Sequence, residues 1–205
     1  MNDNIQRART TKGFLTDQEL SEKIGKENTI LDTSVLLSAA VQIGTGNVFY
    51  PGVVIEVVDD ASISIGDNNT FYPGTYIYAS ASGKITIGDG NEFGTGGFTA
   101  KANMAETVLT IGDGGRYCNG ASVMGTTVLG SGSQVLGTIT VQSCTLASGA
   151  SFQDPDPDKR AAVLKGFGLA RGLRLEVGQV VNGSGDFSEV PVEWQRAYHP
   201  KQGVK

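Results

Sequence analysis

The chain reads as an all-β protein, a parallel β-helix of about six coils, with a short helix near each end. Three observations point there. Four fragments begin alike, at Ile43-Gly44-Thr45-Gly46-Asn47, Ile65-Gly66-Asp67-Asn68-Asn69, Ile87-Gly88-Asp89-Gly90-Asn91 and Ile111-Gly112-Asp113-Gly114-Gly115, with starts 22, 22 and 24 residues apart. Inside these units large apolar leaders recur every six residues: Ile43, Phe49 and Ile55, then Ile65, Phe71 and Ile77, then Ile87, Phe93 and Thr99. Glycine is unusually frequent, at 29 of 205 residues against 6 prolines, in a chain whose apolar residues keep a regular spacing. Glycine therefore serves turns rather than disorder.

Six is neither the helical period nor plain alternation. A short strand supplies two inward positions by alternation, and a turn closes the hexad. Three hexads bring the chain back above its start, so one coil takes 18 residues. The excess in the longer units leaves as corner loops near 59–62, 81–84 and 102–107. Leu31 and Leu37 extend the leader series backwards, while Ile111, Tyr117, Val123, Leu129, Val135, Val141, Leu146 and Phe152 carry it forward. Small or β-branched residues follow four places after a leader, as at Val53, Thr75, Gly97, Ala121 and Thr127. Stacking lets each coil bury what it cannot bury alone. About six coils at roughly 4.8 Å per rung make a prism about 30 Å long.

Residues 30–153 form these coils, 1–29 an N-terminal cap, and 154–205 a C-terminal helix, strand and tail. Thr16 and Glu19 make a capping box and Leu15 staples onto Leu20, which predicts a short helix to Ile24, stopped by Gly25. Asp156 as cap, Pro157 at the first helical position and Gly166 as terminator predict a second helix of about nine residues. The stretch 173–181 reads as an extended strand running outside the coils or reaching a neighbour, and 183–205 as a loosely ordered tail.

The formal charge is −5. Residues 43–152 hold three basic residues (Lys84, Lys101, Arg116) and eight acidic ones, so 3 − 8 = −5 and the two ends together are neutral. Without a basic stripe, nucleic-acid binding is disfavoured. Two cysteines, Cys118 and Cys144, make no disulfide framework. Neither a signal peptide nor a membrane span is read from the sequence, and a cytoplasmic protein is the expectation.

An aliphatic leader, then Gly, then variable residues and a small residue: this pattern over residues 30–153 resembles the bacterial transferase hexapeptide superfamily. The resemblance implies left-handed coils, a homotrimer, and one of several roles. Members include acyltransferases, γ-class carbonic anhydrases and non-catalytic assembly subunits, so fold does not fix function. The carbonic anhydrase role needs three histidines around zinc. This chain has a single histidine, His199, six residues before its C-terminus, and no metal site is predicted. Acyltransferases of the superfamily mostly use a coil or loop histidine as general base. No coil residue fills that place, and His199 reads as part of the tail.

Two function classes follow. One is a non-enzymatic binding or assembly module with no resident cofactor. The other is an acyltransferase that takes a coenzyme A thioester as co-substrate at a subunit interface and works through a carboxylate. For the second, Glu106 in the loop 102–107 is the candidate base, with Lys101 and Asn103 beside it and Arg116 as a further cation for phosphates. Cys118 follows the inward Tyr117, so alternation turns its thiol outward as a candidate nucleophile. For the first, the repeated Phe-Tyr-Pro-Gly at 49–52 and 71–74 stacks Tyr50 and Tyr72 on the outside, with Tyr76 and Tyr78 on the next strand. Outward aromatics on a flat face are costly unless covered. They predict a subunit interface first and a small-molecule cleft second. The columns Asp67–Asp89–Asp113 and Asn47–Asn69–Asn91 are read as scaffolding, each aspartate bonding its own turn.

Overall fold

The computed structural model describes residues 3–199. They form a parallel β-solenoid of hexapeptide coils with three faces. One face carries seven parallel rungs, from Gln42–Ile43 to Arg174–Leu175. The other two join through the long strand Val163–Arg171, which bends from one face to the next. Among the described residues no helix is long and apolar enough to cross a membrane.

Register explains why the hexads fold this way. Phe49 lies opposite Phe71, Phe71 opposite Phe93, and Phe93 opposite Tyr117. Rungs sit about 4.8 Å apart, so identical side chains in register must stack at that pitch. The ring centroids are 5.0, 5.1 and 5.4 Å apart. Each such pair adds roughly 0.5–1.5 kcal/mol beyond the area it buries. Tyr117 ends the column with its hydroxyl 3.1 Å from Ser133 Oγ. Burial pushes that phenol's pKa far above its usual value.

Polar columns stitch the coils at the corners. Asn69 Nδ2 donates to Asn47 Oδ1 at 3.1 Å, and Asn91 Nδ2 to Asn69 Oδ1 at 3.0 Å. The ladder begins one rung earlier than expected, at Asn28, whose Oδ1 accepts from Asn47. The aspartates differ from the expectation. Each reaches across rungs instead of bonding its own turn: Asp89 Oδ1 accepts from the Asp67 amide at 2.7 Å, and Asp113 Oδ1 from the Asp89 amide at 2.9 Å. Gly66 is required by this geometry, because a Cβ there would lie 2.1 Å from Asp89 Oδ1.

Five expectations are corrected. Leu31 is half exposed, and Ile30 takes the inward place opposite Phe49. In the third coil one extra residue at 94–97 moves the leader from Thr99 to Ala100, which pairs with Ile77, and Phe98 fills the core against Phe93. Phe152 lies outside the column, half-buried under the Arg116 guanidinium. The helix after Asp156 is one 3-10 turn, Pro157–Lys159. A nine-residue helix is marginal on its own, and here Ala161, Ala162 and Leu164 are drawn into the core instead. The leader series resumes at Leu164, Ala170, Leu175 and Val181, so 173–181 supplies coil rungs rather than an outer strand. Gly166, read as a helix terminator, sits inside the strand Val163–Arg171 at φ +118, and a Cβ there would fall 1.9 Å from the Gly183 carbonyl oxygen.

Both ends are covered. At the start, the capping box of Thr16 and Glu19 forms as expected, ahead of helical turns Asp17–Glu19 and Leu20–Ile24. Leu15 and Leu20 close over the first rung. A further helix, Asp3–Thr11, brings Arg9 into a buried ion pair with Asp17, and Arg9 also donates to the carbonyls of Thr33 and Val35. At the other end Phe187 is buried, and Glu193–Trp194 pairs antiparallel with Gln179–Val180. The segment 183–199 is thus built into the fold; residues 200–205 of the expected tail lie outside the described residues.

Removing one partner of a buried ion pair strands the other, at a cost of about 3–5 kcal/mol, while replacing both is far cheaper. Urea unfolding is expected to show Arg9→Met losing about 3 kcal/mol, with Arg9→Met/Asp17→Leu recovering most of it.

Candidate functional site

The aromatic cluster forms where alternation places it. Tyr50 and Tyr72 follow the inward phenylalanines and stack outside, with centroids 4.9 Å apart. The next rung of that column is Gly94, at φ +124, where a Cβ would meet the Tyr72 Cβ at 2.4 Å. The tyrosine ladder therefore stops at two. On the adjacent face Tyr76 and Tyr78 project from Thr75–Ala79 with centroids 6.0 Å apart. Lys101, opposite Tyr78, holds its ammonium 5.6 Å over the Tyr76 ring. The Tyr76 hydroxyl donates to Glu56 at 3.2 Å. All four tyrosines are half-buried. Glu56 was missed at the level of sequence, since only the register Glu56–Tyr78–Lys101 brings it here.

Burial, and then the neighbouring Glu56 carboxylate, push the Tyr76 phenol from its ordinary 10.0 up to about 12.

The remaining candidates are dispersed. Asn103 and Glu106 stand exposed on the loop between Phe98–Ala102 and Val108–Ile111. Glu106 takes a left-handed φ of 59°. Lys101 leans toward Tyr76 on the strand before that loop. Cys118 is half-buried and outward, in the column Gly94–Cys118–Leu136–Lys165. Cys144 is buried, and its thiol donates to the Ala170 carbonyl at 3.3 Å. Burial raises its pKa.

Arg116 leads to a feature the sequence did not reveal. Its Nε holds Glu92 at 3.2 Å and its guanidinium lies 4.4 Å from the Phe152 ring. It lines a cavity of about 240 Å³ on the outer surface of the last coils. The floor comes from the rungs at Gln134, Val163 and Val180, which are in register. One wall comes from the interruption between Leu146 and Val163, with Phe152 and Arg160. The opposite wall comes from the terminal segment, with Gln195, Tyr198 and His199. That segment is pinned: Gln195 Nε2 donates to the Ala161 carbonyl at 2.7 Å, and Arg196 pairs with Asp158. His199 is therefore part of a wall rather than of a loose tail, with Nε2 3.3 Å from an Arg160 terminal nitrogen.

No family model matches the chain, and no curated protein matches it by sequence. Solved structures are similar at low identity. The UDP-N-acetylglucosamine O-acyltransferase LpxA from Moraxella catarrhalis is 15% identical, with a TM-score of 0.34, over 88% of this chain and 75% of that one. LpxA from Acinetobacter baumannii is 15% identical, with a TM-score of 0.30, over 87% and 77%. PerB from Caulobacter crescentus, solved with CoA and GDP-perosamine, is 14% identical, with a TM-score of 0.21, over 93% and 76%. No residue role is transferred at these scores.

Tyr76 makes a pH prediction. Between about 10 and about 12 the folded phenol keeps a proton that the unfolded chain has lost. The native state then binds more protons, so stability falls as pH rises through that window. Urea unfolding across this range is expected to show a shallower decline for Tyr76→Phe than for the unaltered chain; identical slopes contradict the assignment.

Proposed function

We propose that the protein is a self-associating hexapeptide-repeat module, three copies packed side by side, that binds its ligand without transforming it. The observation that carries this reading is the pair of tyrosine stacks on adjacent outer faces of the early coils. A flat aromatic surface of this kind favours a covered state, and aromatic residues concentrate at interface centres. The occupant is a second copy of the chain. Glu56 and Lys101 sit beside the rings with opposite charge, so the patch offers a neighbouring copy both signs to pair with. The coils also lack a histidine to serve as base.

A second reading draws on the exposed loop. LpxA and PerB structures carry an acyltransferase name and a bound CoA respectively. On that reading Glu106, exposed on the loop with Asn103, serves as base on an acceptor in acyl transfer from a CoA thioester.

Sedimentation velocity tests the first reading. The unaltered chain is expected to run as a trimer, and Tyr72→Arg, Tyr78→Arg as a monomer with unchanged circular dichroism. A monomeric parent chain overturns it. Coenzyme A separates the two readings: a rise in Tm at about millimolar concentration, lost in Glu106→Gln, favours acyl transfer.

A further inference from the structure

We infer that the cavity between the last coils and the terminal segment is a binding site for a compact phosphomonoester of a small polyol. The inference does not depend on self-association through the tyrosines. Three permanent cations (Arg116, Arg160 and Lys165) and the chain's single histidine, His199, converge on one cavity, and among the described residues no aspartate or glutamate lines it. This occurs on a chain of net charge −5. Like charges gathered in a cleft raise the local potential and draw in an anion.

The two guanidinium groups are also oriented in advance. Arg116 is held through Nε by Glu92 and laid against Phe152. Arg160 donates through Nε to the Asp154 carbonyl at 2.8 Å. Each anchor uses the inner nitrogen; Arg116 keeps its terminal fork, the part that matches a phosphate bidentately, and Arg160 keeps Nη2 beside the Nη1 that faces His199. Lys165 supplies a point charge from the neighbouring rung column. Arg160 Nη1 and His199 Nε2 stand 3.3 Å apart, so an anion that reaches one meets both.

Size and lining narrow the class. Pockets for drug-sized ligands run from roughly 300 to 1,000 Å³, and this one is smaller at about 240 Å³. A short phosphorylated polyol matches this size and lining. The amides of Gln134 and Asn182 offer donors and acceptors for hydroxyl groups, and Leu136 and Phe152 offer apolar contact for carbon. A polycarboxylate accepts from the amide NH2 groups but offers few hydroxyl donors to their carbonyl oxygens.

The test uses the full chain with glycerol phosphate as probe, and inorganic phosphate and citrate as the other arms. Because His199 is the only imidazole, its ring proton signal reports on the pocket directly by NMR. Glycerol phosphate is expected to shift that signal saturably with a Kd of about 1 mM or tighter, and to bind about tenfold tighter than either comparison anion. Arg160→Gln and Lys165→Gln are each expected to weaken binding about tenfold, while Lys84→Gln, on another face, leaves it unchanged. Lys165 is exposed, so its variant carries the test if Arg160→Gln fails to fold. Absence of a saturable shift at about 10 mM, unchanged affinity in the folded variants, or equal binding of inorganic phosphate or citrate overturns the inference.

Discussion

Everything in this molecule follows from the rung spacing. Parallel coils repeat at about 4.8 Å, so any residue type that recurs in phase becomes a column. An apolar column is a core. Phe49, Phe71, Phe93 and Tyr117 stack because the register leaves the rings nowhere else to go. An amide column becomes a ladder in which the oxygens of Asn28, Asn47 and Asn69 are each used twice, once by a backbone amide and once by the next side chain, and that of Asn91 closes on the Gly115 amide. Such a ladder is stabilising only when complete, because a buried donor or acceptor left alone costs more than a made bond returns.

The same spacing divides labour between the two sides of each strand. Inward positions are tied to their column. Outward positions are tied only by register, and chemistry can change along a face without disturbing the fold. One outer column runs Tyr72, Gly94, Cys118, Leu136, Lys165, Asn182. It begins aromatic, passes a glycine that makes space for the tyrosine, and ends in the floor of a cationic cavity. Two different surfaces are thereby placed on one rigid scaffold, and neither requires the inner columns to change.

How legible this was depended on range. The hexads, the capping box at Thr16 and the outward tyrosines are local patterns, and they were readable residue by residue. The misplacements came where local pattern met long-range pairing. Counting in sixes gives Thr99, but one extra residue among Gly94, Thr95, Gly96 and Gly97 hands the inward place to Ala100. Asp156 and Pro157 are a sound helix start, yet Leu164 has Val135 waiting opposite it, and a continuing core outweighs a short isolated helix. An aspartate in a Gly-Asp turn reads locally as bonding its own turn, because the sequence does not show which backbone amide lies one rung away. The cavity was least legible. Its basic residues, Arg116, Arg160, Lys165 and His199, span more than eighty positions of the sequence, and only the return of the chain after the coils brings the last of them to the first.

The central claim, that complete polar columns hold the coils in register, is most directly tested at Asn69. Its side chain accepts from the Asn91 amide and Nδ2, and donates to Asn47 and to the Gly88 carbonyl. Urea unfolding of Asn69→Ala is expected to show a loss of about 3 kcal/mol, the cost of the buried groups left unpaired. A loss below about 0.5 kcal/mol, the level of an ordinary surface substitution, would contradict it.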